Sequence, residues 1–224
     1  MRTFMGKTAI VLGATGLTGT HLVSALLLDP DYDTVRVLVR KSWVNPRPKL
    51  ESVIVNFKDT ASLTPHLKGD VLFCCIGTTI KKARTKEKFR EVDYGIPVSC
   101  AQLAHAAGVE QFLVISAVGA NARSRNFYLR TKGQMEQAVL KVGFPSTYIF
   151  RPSFLIGKRQ EFRFGEWIGK YLIQLFYFLL QGRWKKYRGI KAATVANAMI
   201  IAAKNNEKGV HVLESDAIQN LGAF

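Results

Sequence analysis

The sequence predicts an α/β fold, a doubly wound parallel sheet with helices on both faces. Three observations carry this expectation. A short apolar run, Ala9-Ile10-Val11-Leu12, stops at Gly13 and is followed by Gly16 and Gly19 at three-residue spacing. That is the pattern of a strand, a phosphate-binding turn and a helix. The run Asp70–Thr79 is nearly uniformly apolar up to Gly77, as a strand buried on both faces should be. Apolar, β-branched runs alternate with helical patterns along most of the chain, which implies right-handed crossovers and a parallel sheet.

In the first unit, Gly13 permits the tight turn, Gly16 lets backbone approach a pyrophosphate, and Gly19 lets the helix pack on the strand. The helix is expected from about His21 to Leu28, followed by the turn cluster Asp29-Pro30-Asp31. The second strand, Thr34–Arg40, ends in Arg40-Lys41, with no acid until Glu51. An acid there would meet the ribose 2′-hydroxyl of NAD(H), whereas arginine accommodates a 2′-phosphate, so NADP(H) is favoured over NAD(H).

The third strand is read as Ser52–Phe57 and the fourth as Asp70–Thr79. A basic segment follows, with six basic residues and one acid from Lys81 to Arg90. A helix is expected from about Pro97 to Ala107, with Gly108 just past its end. The fifth strand, Gln111–Ser116, ends in a hydroxyl. Tyr128 and Lys132 stand four apart at the start of a helical pattern continuing through Gly133 to Lys141, so they share one face. A lysine ammonium beside a phenol favours the phenolate, which suits acid/base work, and Ser116 is placed to hydrogen-bond a substrate carbonyl.

These residues carry a resemblance. Gly13-Ala14-Thr15-Gly16-Leu17-Thr18-Gly19, Cys75-Ile76-Gly77-Thr78-Thr79, Ser116, Tyr128-Leu129-Arg130-Thr131-Lys132 and Arg151-Pro152-Ser153-Phe154-Leu155-Ile156-Gly157 resemble the atypical and extended short-chain dehydrogenase/reductase superfamily. The likeness is to its small Tat-interacting-protein-like oxidoreductases and their bacterial relatives, over about residues 6 to 200. It implies a Rossmann-like fold in which Gly13, Thr15, Gly16, Leu17, Thr18 and Gly19 line the pyrophosphate turn and Arg40 with Lys41 meets the 2′-phosphate. Gly77 and Thr78 are then expected to pass over the adenosine ribose. Tyr128 becomes the acid/base, Lys132 its ribose-binding helper and Ser116 the carbonyl-orienting hydroxyl. The strand Ser146–Pro152 would bring Pro152, Ser153 and Phe154 beside the nicotinamide. Where relatives often carry Asp after the third strand to hold the adenine, this chain has Asn56-Phe57, which weakens that contact.

The whole chain, residues 1–224, is expected to form one domain, with about 153–191 as a small substrate-side cover. Glu166–Leu180 is dense in aromatic and aliphatic residues, and Gly182–Arg188 interleaves basic residues with aromatics. This stretch, 166–191, suits packing over the cleft or a homodimer seam, which is preferred, or contact with an anionic membrane or acidic protein. Thr194–Ala203 reads as a helix capped by Thr194, Gly209–Leu213 as an edge strand, and the end from Glu214 as loose.

Composition excludes a disordered or fibrous chain: 48% of residues are hydrophobic and 21% charged. The net charge of +16 attracts anions, but its concentration around the expected cofactor site argues for a local role, and nucleic acid is not expected. Neither a secretory leader nor an apolar run long enough to span a bilayer is read, and Cys74, Cys75 and Cys100 are taken as reduced, so the expected location is cytoplasmic. The four histidines show no ligand spacing, and no metal is expected. The preferred function is an NADP(H)-dependent oxidoreductase acting on a carbonyl or hydroxyl of a small substrate. The alternatives are a non-catalytic NADP(H)-binding regulatory or docking module, or a nucleotide-sugar epimerase-like isomerase.

Overall fold

The computed structural model describes residues 6–43, 46–157 and 188–223. Seven strands form one sheet in the order β3-β2-β1-β4-β5-β6-β9, every neighbouring pair parallel. They are β1 (Lys7–Leu12), β2 (Tyr32–Val39), β3 (Leu50–Ile54), β4 (Val71–Cys74), β5 (Gln111–Ile115), β6 (Ser146–Arg151) and β9 (Gly209–Glu214). A small parallel pair, β7 (Leu155–Ile156) with β8 (Ile190–Lys191), stands apart. This is the doubly wound, Rossmann-like sheet that the alternating pattern predicts.

The parity of each strand divides the core between two faces. Ala9 and Val11 of β1, Val71 and Phe73 of β4, and Leu113 of β5 join one cluster. It is covered by Leu22, Val23 and Leu26 of α1 (Leu17–Leu28), by α7 (Ala192–Asn205), and by Ile218 of α8 (Ser215–Gly222). Ile10, Leu12, Leu72, Phe112 and Val114 face the other way, onto Cys100, Ala101 and Ala104 of α5 (Ile96–Ala106) and Met135 and Val139 of α6 (Phe127–Leu140). A strand buried on both sides has no polar face, which is why β4 reads as an unbroken apolar run. From β1 the chain winds outward to β2 and β3, then crosses back to β4 on the other side of β1. The crevice at the carboxyl ends of β1 and β4 is thus the topological switch point, where ligands bind in open α/β sheets.

Several boundaries differ from expectation for identifiable reasons. Helix α1 begins at Leu17, four residues before His21, because Gly16 in extended conformation is itself the N-cap. Strand β3 runs earlier, Leu50–Ile54, since its register starts at Val35 opposite Leu50. Thr194 is not a cap: α7 begins at Ala192 after Lys191, and Thr194 is buried within it. The end from Glu214 is not loose but continues into α8, whose Ile218 is wholly buried. A Cβ at Gly222 would lie 2.1 Å from the Thr194 carbonyl, so α8 closes on α7 to backbone contact. After β3 the chain forms a short helix, α2 (Thr60–Leu63), and the basic stretch from Lys81 forms two more, α3 (Ile80–Ala83) and α4 (Lys86–Arg90), with a π-helical turn, Glu91–Gly95, joining α4 to α5.

Candidate functional site

The first βα turn is built on close backbone contacts. Gly13 has φ +79°, and a Cβ there would stand 2.7 Å from the Cys75 carbonyl, so the turn lies directly against the chain leaving β4. A Cβ on Gly19 would fall 2.1 Å from the Gly13 carbonyl oxygen, which explains the third glycine as a packing requirement. Gly16 N–H donates to the Gly13 carbonyl at 2.9 Å. Helix α1 then starts with no side-chain cap and no acid in its first turn, leaving its first N–H groups and the positive end of its dipole for an anion. The Thr18 hydroxyl is buried there without a hydrogen-bond partner, while Thr15 is exposed. These features fit a diphosphate. Leu17 reaches over to the segment after β6, where a Cβ on Gly157 would meet it at 2.7 Å.

Arg40 and Lys41 are exposed immediately past the end of β2, next to this turn. Asn56 follows β3, with its side-chain oxygen accepting from Lys58 N–H at 3.1 Å, while Phe57 packs partly into the core. Both sit on the flank expected to receive the adenosine half.

On the other side of the switch point three segments converge on one buried carboxylate. Asp93, in the π-helical turn and 0% exposed, accepts from Thr78 N–H at 2.9 Å and pairs with Lys132 Nζ at 2.9 Å. Lys132, also buried, donates to the Ile115 carbonyl at 3.4 Å. A Cβ at Gly77 would stand 3.5 Å from the Asp93 carboxylate and 3.8 Å from Lys132 Nζ. Burial alone would push the Lys132 ammonium down, but Asp93, aided by Tyr128, more than offsets it and holds the ammonium above its ordinary range. Tyr128, one turn earlier on α6, is half-buried against Phe89 of α4, ring centroids 5.7 Å apart. Ser116 is buried at the end of β5, its N–H donating to the Phe150 carbonyl at 2.7 Å and its hydroxyl without a partner. The neighbouring Cys74 thiol is pushed up to about 11 by burial, and so stays protonated at neutral pH.

The end of β6 completes the wall. Pro152 is buried, and its carbonyl accepts from Val118 N–H at 3.0 Å, bracing the loop after Ser116. The Ser153 hydroxyl donates to the Arg188 carbonyl and accepts from Ser215 at 3.1 Å, so it is engaged within the protein, whereas Phe154 is exposed. Arg151 forks onto Glu136 of α6, Nε to Oε1 at 3.0 Å and Nη2 to Oε2 at 2.7 Å, and reaches Glu214 at 3.1 Å. Tyr128, Lys132 and Glu136 thus lie at four-residue steps along one side of α6.

Asp93, Glu136 and Glu214 escape the sequence reading. The signal for Asp93 is an acid between Val92 and Tyr94 directly after a basic stretch; for Glu136 it is its place four residues beyond Lys132. Most of the expected cover, residues 158–187, and with it Glu166–Leu180, lies outside the described residues.

The fold and the glycine turn define a class of protein. A family model described as NAD(P)H-binding matches residues 13–165, and the chain belongs to that family. It is 32% identical to protein HTATIP2 of Rattus norvegicus, over 96% of this chain and 89% of that one. It is 37% identical to protein FMP52, mitochondrial, of Debaryomyces hansenii, over 68% of this chain and 69% of that one. Among solved structures, MoeE5 in complex with UDP-glucose and NAD matches with a TM-score of 0.69 at 16% identity, over 96% of this chain and 81% of that one, a likeness of fold. Among the described residues no helix is long and apolar enough to cross a membrane.

Proposed function

We propose that the protein is an NADP(H)-dependent oxidoreductase that interconverts a carbonyl and a hydroxyl group on a small substrate. The observation that carries this reading is the Ser116 hydroxyl, buried without a partner at the carboxyl end of β5, in the same cleft wall as the α6 face bearing Tyr128 and Lys132. A buried hydroxyl left unpaired costs stability, and its retention is explained if a substrate oxygen completes it. The dinucleotide, when bound, supplies or accepts the hydride. Gly13, Gly16, Leu17 and Thr18 hold its diphosphate, and Arg40 with Lys41 meets the 2′-phosphate. Ser116 orients the substrate oxygen, and Tyr128 gives it a proton in reduction or removes one in oxidation. Lys132 maintains positive charge behind Tyr128 and reaches toward the ribose hydroxyls.

The cofactor preference is tested by calorimetry. Arg40→Ala should weaken NADPH binding by about 10- to 100-fold, the equivalent of losing a charged hydrogen bond, and leave NADH within about threefold. An equal loss for both nucleotides would remove Arg40 from the 2′-phosphate site. The reaction is tested by following NADPH against a panel of aldehydes and ketones. Net consumption supports an oxidoreductase, whereas an isomerase returns the hydride and consumes none.

A further inference from the structure

The two loops beside Ser116 and Tyr128 carry an excess of cations. Strands β4 and β5 are parallel neighbours, so the segments leaving their carboxyl ends lie side by side. The first has six basic residues and one acid from 81 to 90, and the second has four and none from 116 to 134. They meet at aromatic rings, Phe89 of α4 standing 5.6 Å from Phe127 and 5.7 Å from Tyr128 between centroids. Over the Phe127 ring lie Lys86 Nζ from one loop at 5.6 Å and the Arg130 guanidinium from the other at 5.8 Å. Both segments are held in place. Thr79 and Thr85 cap α3 and α4 by accepting from Lys82 N–H and Lys88 N–H. Arg130 donates to the Ser124 and Arg125 carbonyls at 2.8 and 3.1 Å, fixing the backbone that carries Arg123 and Arg125. Yet Lys81, Arg84, Lys86, Lys88, Arg123 and Arg125 are all exposed, and among the described residues none of them forms a salt bridge. Like charges on a fixed frame repel one another and concentrate their potential on any anion that comes between them.

We propose that this rim is a phosphate subsite, and that the substrate oxidised or reduced at Ser116 and Tyr128 carries a phosphate or diphosphate group. This rests on the oxidoreductase reading above and names the substrate class for it. An independent sign of a ligand stands at the root of the second loop, where the Ser116 hydroxyl is buried, with the residue 4% exposed, and has no partner. In that reading the phosphates of the cofactor are met elsewhere, at the glycine turn and at Arg40 and Lys41 past β2, two strands from β4. A lipid surface calls for apolar side chains able to insert, but of the large apolar residues on these two loops only Ile80 is exposed. A nucleic-acid strand calls for open aromatic faces on which bases stack, whereas Phe89 is wholly buried and the Phe127 ring is met by Lys86 and Arg130. Ordered cations without apolar or stacking company suit the oxygens of a small phosphate ester.

The test uses the full chain as wild type, K81Q/R84Q/K86Q/K88Q, R123Q/R125Q and, as a control for net charge, K68Q/K141Q. Calorimetry with inorganic pyrophosphate in the presence of saturating NADPH, which occupies the glycine turn, should show each loop variant binding about tenfold more weakly than wild type and the control within about threefold. NADPH itself should bind all four chains within about threefold. In turnover, glyceraldehyde 3-phosphate is compared with glyceraldehyde. The preference for the phosphorylated aldehyde in kcat/KM should fall about tenfold in each loop variant and stay within about threefold in the control. Pyrophosphate binding that is absent, or equal in all four chains, overturns the subsite. An NADPH loss matching the pyrophosphate loss gives the cations to the cofactor instead, and an unchanged aldehyde ratio removes the substrate assignment. Wild-type binding to phosphatidylglycerol vesicles or to a single-stranded oligonucleotide, lost in the loop variants without any preference for the phosphorylated aldehyde, also overturns it. Should the fourfold variant not fold, R123Q/R125Q carries the same comparison. Wild-type protein that binds neither NADPH nor NADH overturns the oxidoreductase reading, and the pyrophosphate titration, repeated without nucleotide, still decides the rim.

Discussion

Tyr128→Phe is expected to lower turnover by a factor of about 10² or more while NADPH affinity stays within about threefold of wild type. The argument is one of elimination around the unpaired Ser116 hydroxyl. Lys132 is buried and committed to Asp93 and the Ile115 carbonyl, so its proton is not available for exchange with a substrate. Asp93 is itself enclosed and tied to Thr78. Burial keeps the Cys74 thiol protonated at neutral pH. Tyr128 alone of these groups is both half-exposed and carried on the face of α6 that leads to Lys132. Phenylalanine keeps the ring contact with Phe89, at 5.7 Å between centroids, and removes only the hydroxyl. The loss should therefore fall on kcat rather than on folding or cofactor affinity. Steady-state kinetics with a carbonyl substrate selected from the panel, alongside NADPH calorimetry, separates these quantities. Turnover unchanged in Y128F would remove Tyr128 as the acid/base.

The parts of this site that are legible in the sequence are those whose requirement is local. Gly13 and Gly19 must be glycine because backbone passes within 3 Å of where a Cβ would be, and such a need shows directly in the residue type. Tyr128 and Lys132 declare themselves by a helical interval that holds wherever the helix packs. The β4 strand is legible because burial on both faces leaves no polar position. Asp93 is opaque for the opposite reason. Its meaning depends on Thr78, fifteen residues before it, and Lys132 on another helix, and on a π-helical turn that no periodicity announces. Helix α8 is hidden similarly: eight residues with one wholly buried anchor, Ile218, are helical because α7 is there to receive them. Ser153 shows the limit of motif reasoning, since its place after Arg151-Pro152 is as expected but its hydroxyl is spent on Arg188 and Ser215.

Arg151→Met should destabilise the fold by about 3 kcal/mol, seen as a fall in melting temperature of about 6–12 °C for a chain of this size. Arg151 joins three elements: its own strand β6, Glu136 of α6, and Glu214 at the end of β9. The hydrogen bonds that Arg151 donates to Glu136 outweigh the cost of burial and, with Glu214, hold the guanidinium well above its ordinary range. The cost of losing it is set by what remains, for the Glu136 side chain is only 6% exposed and would be left without a counter-charge. The expected loss lies at the lower end of the range for broken buried pairs because the Arg151 side chain keeps 24% exposure, so water already screens part of the interaction. Removing all three charges, in E136Q/R151M/E214Q, should recover at least half of the deficit, since a neutral cluster has no orphaned carboxylate. Thermal melts of the three chains check each step. If R151M melts with the wild type, the Arg151 fork adds nothing to the packing of α6 on β6, and α6 is held there by its other contacts, among them the buried Met135 and Val139 and the bond from Lys132 to the Ile115 carbonyl.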